Sequence, residues 1–240
     1  PEVDAHFAHG RVTNYWGGSS SATTHMLELM HYKGLLRVAR REAGIRIYSV
    51  QQHGPGPEGA AARRAHLDGL VDTVVALYAP IPASSLTFIV RRLRYATPHW
   101  HADITSAIQR AKKRLAHATI DGHQWYWPEG ESMPDHQVEG VRFLAPFDPV
   151  VWDRGRFEML WDWAYRFEAY TPLPKRKHGY YAMPLLWGDR VIGWANVSMI
   201  GDGVEAKIGY VSGRAPKDRG YKAALDAEIH AMKIFLSDED

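Results

Sequence analysis

The 240-residue chain is 45% hydrophobic and 23% charged, which suits a packed core of one large or two small domains and excludes wholesale disorder. It has no cysteine, which excludes a disulfide framework, a thiolate metal site and a cysteine nucleophile, and its apolar runs are too short for a membrane-spanning helix. The formal charge of +2 hides a division: residues 31–115 carry 14 Lys and Arg against 5 Asp and Glu, whereas residues 116–240 carry 14 against 19.

A basic block of that kind points to a polyanionic partner, the alternative being a general basic surface balanced by an acidic tail. No charged, apolar and then small-residue leader opens the chain, so secretion is not expected. The first residue is Pro1 rather than Met, and the chain therefore reads as part of a longer protein. Two Gly- and Pro-bearing stretches, 51–59 and 128–140, divide it into 1–52, 60–128 and 140–240.

In the first piece a helix is expected over residues 1–9 and a short helical turn around 12–15. Ser19, Ser20 and Ser21 then supply caps for a further helix, and Ala22, Met26, Leu29 and Met30 recur at helical spacing as its buried face. Gly34 stops that helix, and apolar residues alternate with arginines along 35–41 and 45–48, as in a half-buried hairpin. In the second piece helices are expected at 62–78, stopped by Pro80, and at 84–94. Thr97 and Pro98 open another, with Ile104, Ile108, Ala111 and Leu115 inward. Asp121-Gly122 then turns a hairpin between 117–120 and 124–127. Three small helices before a hairpin is the winged-helix order, a form of the helix-turn-helix, and it occurs twice. In the third piece one helix is expected over 149–163. Strands follow at 141–144, 181–187, 191–199 and 204–211, with a closing helix at 218–236. The fold class is therefore α+β: tandem winged helices followed by a small β-rich domain with a C-terminal helix, the alternative being an α+β domain with two unrelated helix–hairpin units.

Arginine suits phosphate because its planar fork can bond two oxygens at once. Lys33, Arg37, Arg40, Arg41 and Arg46 around the first hairpin are candidate backbone contacts, and Arg110, Lys113 and Arg114 form a second set on a helix. Glu28 on the first recognition-type helix argues against sequence-specific readout. The 9 Trp, 12 Tyr and 7 Phe include Trp125, Tyr126 and Trp127, and Tyr180 and Tyr181; aromatics beside basic residues can stack on unpaired bases, although most belong to cores. His6 and His9, and His99 and His101, lack a third ligand at suitable spacing, so no metal site is expected. Asp148, Asp153, Glu158 and Glu168 could do acid–base work but suit helix caps and ion pairs better.

Several strings, taken together, carry a family likeness. They are Trp16-Gly17-Gly18-Ser19, Leu35-Leu36-Arg37-Val38 with Arg40-Arg41, Pro146-Phe147-Asp148-Pro149-Val150-Val151-Trp152-Asp153-Arg154, Arg166-Phe167-Glu168-Ala169-Tyr170-Thr171-Pro172, Lys175-Arg176, Gly179-Tyr180-Tyr181, Met183-Pro184-Leu185-Leu186 and Gly188-Asp189-Arg190. Their order and spacing resemble the bacterial winged-helix crosslink-repair DNA glycosylases (the YcaQ/AlkZ-like family) over residues 10–236, most specifically over 146–190.

The resemblance implies hydrolysis of the N-glycosidic bond of alkylated or crosslinked purines, with double-stranded DNA as partner and no metal or organic cofactor. It adds Arg154, Lys175 and Arg176 to the expected DNA-binding set. It also implies a monomer in the bacterial cytoplasm, associated with the nucleoid. The family's catalytic signature, Gln-x-Gln or Gln-x-Asp in an N-terminal winged-helix domain, does not occur here, so that domain is expected to precede Pro1 and no catalytic residue is assigned. Gln137-Val138-Glu139 resembles it chemically but lies in the second linker. Where the family continues Gly-Arg-x-Asp-x-Lys, this chain has Gly193-Trp194-Ala195-Asn196-Val197-Ser198. The competing readings are a non-catalytic winged-helix DNA-binding protein or regulator, and a protein-interaction scaffold.

Overall fold

A computed structural model describes residues 2–7, 9–15, 17–132 and 139–237. Gln137 and Val138 of the candidate triplet, and Trp16 of the first family string, lie outside the described residues. The chain is α+β and forms two compact units, Pro1–His66 with Tyr95–Pro98, and Leu67–Arg94 with His99–Asp240. No helix among the described residues is long and apolar enough to cross a membrane.

The first unit begins with α1 (Glu2–Phe7), then β1 (Arg11–Thr13) antiparallel to β2 (Ser19–Ser21). The helical turn expected at 12–15 is thus a strand entering a reverse turn. Val12 and Thr13 are β-branched, and Asn14 closes the turn by accepting the Gly18 amide at 2.9 Å through its side chain and bonding the Gly18 carbonyl at 2.7 Å through its own amide. In α2 (Ala22–Tyr32) the Ser21 hydroxyl accepts the Thr24 amide at 3.2 Å, and Gly34 at φ +76° ends the helix. The expected buried face of α2 does not form. Thr23 is the buried residue, whereas Met26 is 54% and Leu29 42% exposed. Ala22 and Met30 of the periodic stripe are half-buried, but among the described residues nothing buries Met26 and Leu29. Strands β3 (Leu36–Glu42) and β4 (Ile45–Val50) pair through an Ala43-Gly44 turn, with an irregularity between Val38 and Arg40. Leu36 is the buried hydrophobic residue of this unit among the described residues.

In the second unit Leu67, Val71 and Val75 of α3 (Gly59–Tyr78) repeat every four residues and lie fully inside. They pack with Leu86, Ile89 and Val90 of α4 (Ala83–Val90) and with Ile104, Ala107, Ile108 and Ala111 of α6 (Ile104–Arg114). The helix expected at 84–94 ends at Val90 and a one-turn α5 (Leu93–Ala96) follows. Pro98 opens a 3-10 segment to Asp103 rather than α6 itself. Between α3 and α4 runs β5 (Ile81–Pro82), which pairs with the second strand of the hairpin β6 (Ala116–Ile120) and β7 (His123–Trp127), so the sheet order is β5-β7-β6.

The remaining sheet is antiparallel in the order β11-β10-β9-β8, built from β8 (Val141–Phe143), β9 (Met183–Trp187), β10 (Arg190–Ile200) and β11 (Gly203–Tyr210). The closing helix α9 (Tyr221–Ser237) lies on it through Tyr221, Leu225 and Ile229, and Glu228 accepts the Phe143 amide at 2.7 Å. The single helix expected at 149–163 is two, α7 (Pro149–Trp152) and α8 (Arg154–Trp161). Asp153 has extended backbone between them and caps α8 by accepting the Arg156 amide at 3.2 Å. A helix-capping aspartate between Trp152 and Arg154 is what splits the element.

Candidate nucleic-acid interface

Helix α8 ends at Asp162 in the left-handed region (φ +50°), and the chain then crosses twenty residues to β9 without a regular α-helix or strand. Three anchors hold this loop. Tyr165 is fully buried against Phe157, and its hydroxyl donates to the Ala182 carbonyl at 2.6 Å; burial pushes its pKa up to about 12. Arg154 lies over the Tyr165 ring at 4.5 Å and donates to the carbonyls of Val151 and Pro146, and burial lowers its pKa.

The second anchor is Glu168, which is buried and whose carboxylate accepts the backbone amides of Lys177 (2.9 Å), His178 (2.8 Å) and Gly179 (3.2 Å). Burial alone would raise its pKa, but the amide donors outweigh it and the group stays below its ordinary range. It is therefore an ionised acceptor, not a proton donor, and its role is to fold 168–179 back on itself.

The third anchor is the His178 ring, which stands edge-on to Trp163 (5.4 Å) and Trp194 (4.4 Å), while its carbonyl accepts the Asn196 amide at 2.7 Å. Burial, aided by Lys177, lowers the His178 pKa and favours the neutral ring, against the opposing pull of the Glu168 carboxylate. Gly179 sits at φ +130° against the Asn196 carboxamide, where any Cβ would collide. Trp194 and Asn196, which replace the Arg and Asp of the Gly-Arg-x-Asp-x-Lys pattern, thus clamp this loop, while Ser198 is exposed on the same strand. No spacing in the sequence announces this aromatic cluster. Its only signal is the departure from the pattern at Trp194.

The loop displays basic and aromatic side chains. Lys175 is exposed at the end of a 3-10 turn, Arg176 donates to the Thr171 carbonyl at 2.7 Å and lies over the Tyr180 ring at 5.0 Å, and Arg166 and Lys177 are exposed. Tyr170, Tyr180, Tyr181 and Phe147 are exposed beside them.

In the first unit, Lys33 closes α2 and is exposed, as are Arg37, Arg40, Arg41 and Arg46 on the β3–β4 hairpin. Arg37 bonds Ser49, Arg40 pairs with Glu42 at 2.6 Å, Arg41 donates to the Gly44 carbonyl, and Arg46 reaches Glu28 at 3.2 Å. Arg41 and Arg46 are direct cross-strand neighbours. Two like charges so placed cost stability, and an anion set between them relieves that cost.

The α6 set is arranged differently. Arg110 forms a two-pronged pair with Asp68, with Nη2–Oδ1 at 2.7 Å and Nε–Oδ2 at 3.0 Å, and the hydrogen bonds to Asp68 raise its pKa. Arg114 pairs with Asp72 and donates to the Asp68 carbonyl at 3.2 Å, so both arginines tie α6 to α3; Lys113 is exposed and makes no ion pair among the described residues. Arg156, absent from the expected set, is buried and donates to the carbonyls of Tyr78 and Pro149, a structural role. Among the described residues no three His, Asp or Glu converge as they would around a metal ion.

Residues 1–235 match the family model described as DNA glycosylase AlkZ-like. No solved structure matches the chain.

Proposed function

Since the chain belongs to the AlkZ-like DNA glycosylase family, we propose that it grips damaged double-stranded DNA for hydrolysis of the N-glycosidic bond of an alkylated or crosslinked purine. The match over residues 1–235 carries this reading. The chain holds no Gln-x-Gln or Gln-x-Asp triplet. In this reading a winged-helix segment outside these 240 residues activates the water, and no metal or organic cofactor takes part.

The chain's own residues then bind and orient. The order α3, β5, α4, α6, β6, β7, with β5 on β7, supports a winged helix over 60–128, and α2 with the β3–β4 hairpin supports a reduced one over 1–52. Lys33, Arg37, Arg40, Arg41 and Arg46 sit on phosphates, and the facing Arg41 and Arg46 are relieved when a phosphate enters between them. Lys113, Lys175 and Arg176 add contacts. Arg110, Arg114 and Arg154 join them only by leaving Asp68, Asp72 and their carbonyl partners.

The test is binding of duplexes with and without an N-alkylated purine, together with release of the base. Five phosphate contacts from the first unit give a log–log salt slope of about −4.5, or about 500-fold weaker binding between 50 and 200 mM salt. A flat salt response overturns the proposal. The missing Gln triplet favours a second reading, a non-catalytic DNA-binding protein. It predicts the same salt slope, with no base released and no preference for alkylated DNA.

A further inference from the structure

We propose that the exposed face of residues 145–181 is a stacking platform for unpaired nucleotides, a single-stranded DNA site whose rings lie outside the duplex grip and which shares only Lys175 and Arg176 with it. The proposal rests on the DNA-binding reading above and names the part of an opened substrate that this loop holds.

The platform is built around Phe167. Its ring meets Phe147 at 5.2 Å, Tyr181 at 5.4 Å and Tyr170 at 6.5 Å, each close to perpendicular. Tyr180 joins through Arg176, which lies over its ring and bonds the Thr171 carbonyl beside Tyr170. These rings face solvent: Tyr170 is 89%, Phe147 61% and Tyr180 59% exposed. A contiguous aromatic patch left in water marks an interaction surface rather than an unfinished core.

The chemistry around the rings selects the occupant. The cations beside the rings are Lys175, Arg176 and Lys177, with Arg166 paired to the exposed Glu158 at 3.9 Å; of the neighbouring carboxylates, Glu168 is buried under three backbone amides, Asp148 caps α7 through the Val150 amide, and Asp162 is exposed at the end of α8. The face is therefore aromatic and cationic together. A hydrophobic protein partner has no use for the cations, and the regular duplex backbone has no use for the rings. Unpaired nucleotides offer both complements, flat π faces for the tyrosines and phosphates for the lysines and arginines. The clamp formed by Glu168, Tyr165 and the Trp163–His178–Trp194 cluster holds the loop in place before binding, so little order is lost when bases stack. Enzymes that reach into the stack leave nucleotides unpaired, which supplies such an occupant.

Fluorescence anisotropy on the full chain tests this with three labelled probes: oligo-dT about 12 nucleotides long, an abasic strand of equal length, and a fully paired duplex. Oligo-dT is expected to bind about tenfold tighter than the abasic strand. Tyr170→Ala and Tyr180→Ala are each expected to remove about tenfold of oligo-dT affinity. Tyr170→Phe, which keeps the ring, retains it, and none of these variants changes duplex affinity. Thermal melts identify any variant that fails to fold, and Tyr170→Phe, at a side chain in water, keeps the comparison meaningful. Equal affinity for oligo-dT and the abasic strand, or oligo-dT affinity unchanged in Tyr170→Ala, overturns the platform; the face then belongs to a protein partner. Loss of salt-dependent duplex binding would instead overturn the function proposed above, so the two failures are read on different probes.

Discussion

Glu168→Gln removes half of the acceptor on which three amides converge. The wild-type carboxylate takes the N–H groups of Lys177, His178 and Gly179 at 2.8–3.2 Å in a buried position. Glutamine offers one carbonyl oxygen and turns an NH2 toward at least one of those donors. Each buried amide left without an acceptor costs about 1–3 kcal/mol, so a loss of about 3 kcal/mol is expected for one or two orphaned donors. In a unit of this size each kcal/mol moves the thermal midpoint by about 2–4 °C, which places the variant about 6–12 °C below the wild type at neutral pH. The pH dependence fixes the cause. The folded pKa of Glu168 lies below its unfolded value, so its contribution is fully present above the unfolded carboxylate pKa of about 4.3 and is lost as pH falls through the folded value. The gap between wild type and variant should therefore stay constant around neutrality and close in acid. Thermal melts across pH, with amide exchange at 177–179, measure both features. A neutral-pH gap below about 2 °C would refute the anchoring role, as would a gap that persists unchanged once both proteins are fully protonated.

Three shorter expectations accompany it. Trp194→Arg, which restores the arginine of the Gly-Arg-x-Asp-x-Lys pattern, should cost about 2 kcal/mol because it removes ring contacts to Trp163 and His178; chemical denaturation checks it, and a neutral or stabilising effect would mean that the aromatic clamp is incidental. Phe157→Ala, at the centre of the Val151–Phe157–Tyr165 cluster, should cost about 3–5 kcal/mol in urea melts. Asp68→Asn should cost about 1–2 kcal/mol by breaking the two-pronged pair with Arg110. The freed guanidinium should make the salt slope for duplex binding steeper by about 0.9, and an unchanged slope would remove Arg110 from the DNA contacts.

What the sequence disclosed was mostly local. The Ser21 cap, the Gly34 stop, the Asp121-Gly122 turn and the inward helical spacing of Ile104, Ile108 and Ala111 in α6 each depend on neighbours within a turn or two, and each is found where expected. Periodicity places Met26 and Leu29 on one face of α2 without saying whether anything lies against it, so their exposure is not legible in the sequence. The Asn14 turn carries no plain sequence mark, since it needs a side chain and an amide four residues apart to meet. In the candidate site the basic residues were visible as charges, but their partners were not: Arg110 meets Asp68 across 42 positions. Glu168 stood out as a carboxylate suited to acid–base work or ion pairing, whereas its role depends on backbone amides nine to eleven residues later, which carry no compositional mark.

That difference between a charge and its partner sets the final prediction. If all eleven expected cations faced phosphates, the log–log slope would be about −10. Arg110 and Arg114 are held by Asp68 and Asp72, and Arg154 is held by two carbonyls and the Tyr165 ring. The surface pairs Arg40–Glu42 and Arg46–Glu28 are weak by comparison, since both partners are well exposed and a phosphate can displace the carboxylate. Lys33, Arg37, Arg40, Arg41, Arg46, Lys113, Lys175 and Arg176 remain. The expected slope therefore lies between about −4.5, for the first unit alone, and about −7, for all eight. A slope near −10 would mean that binding pulls α6 away from α3, and Arg110→Ala would then weaken duplex binding as much as it destabilises the fold. A slope within the expected window, unchanged in Arg110→Ala, would leave these arginines as struts between two helices.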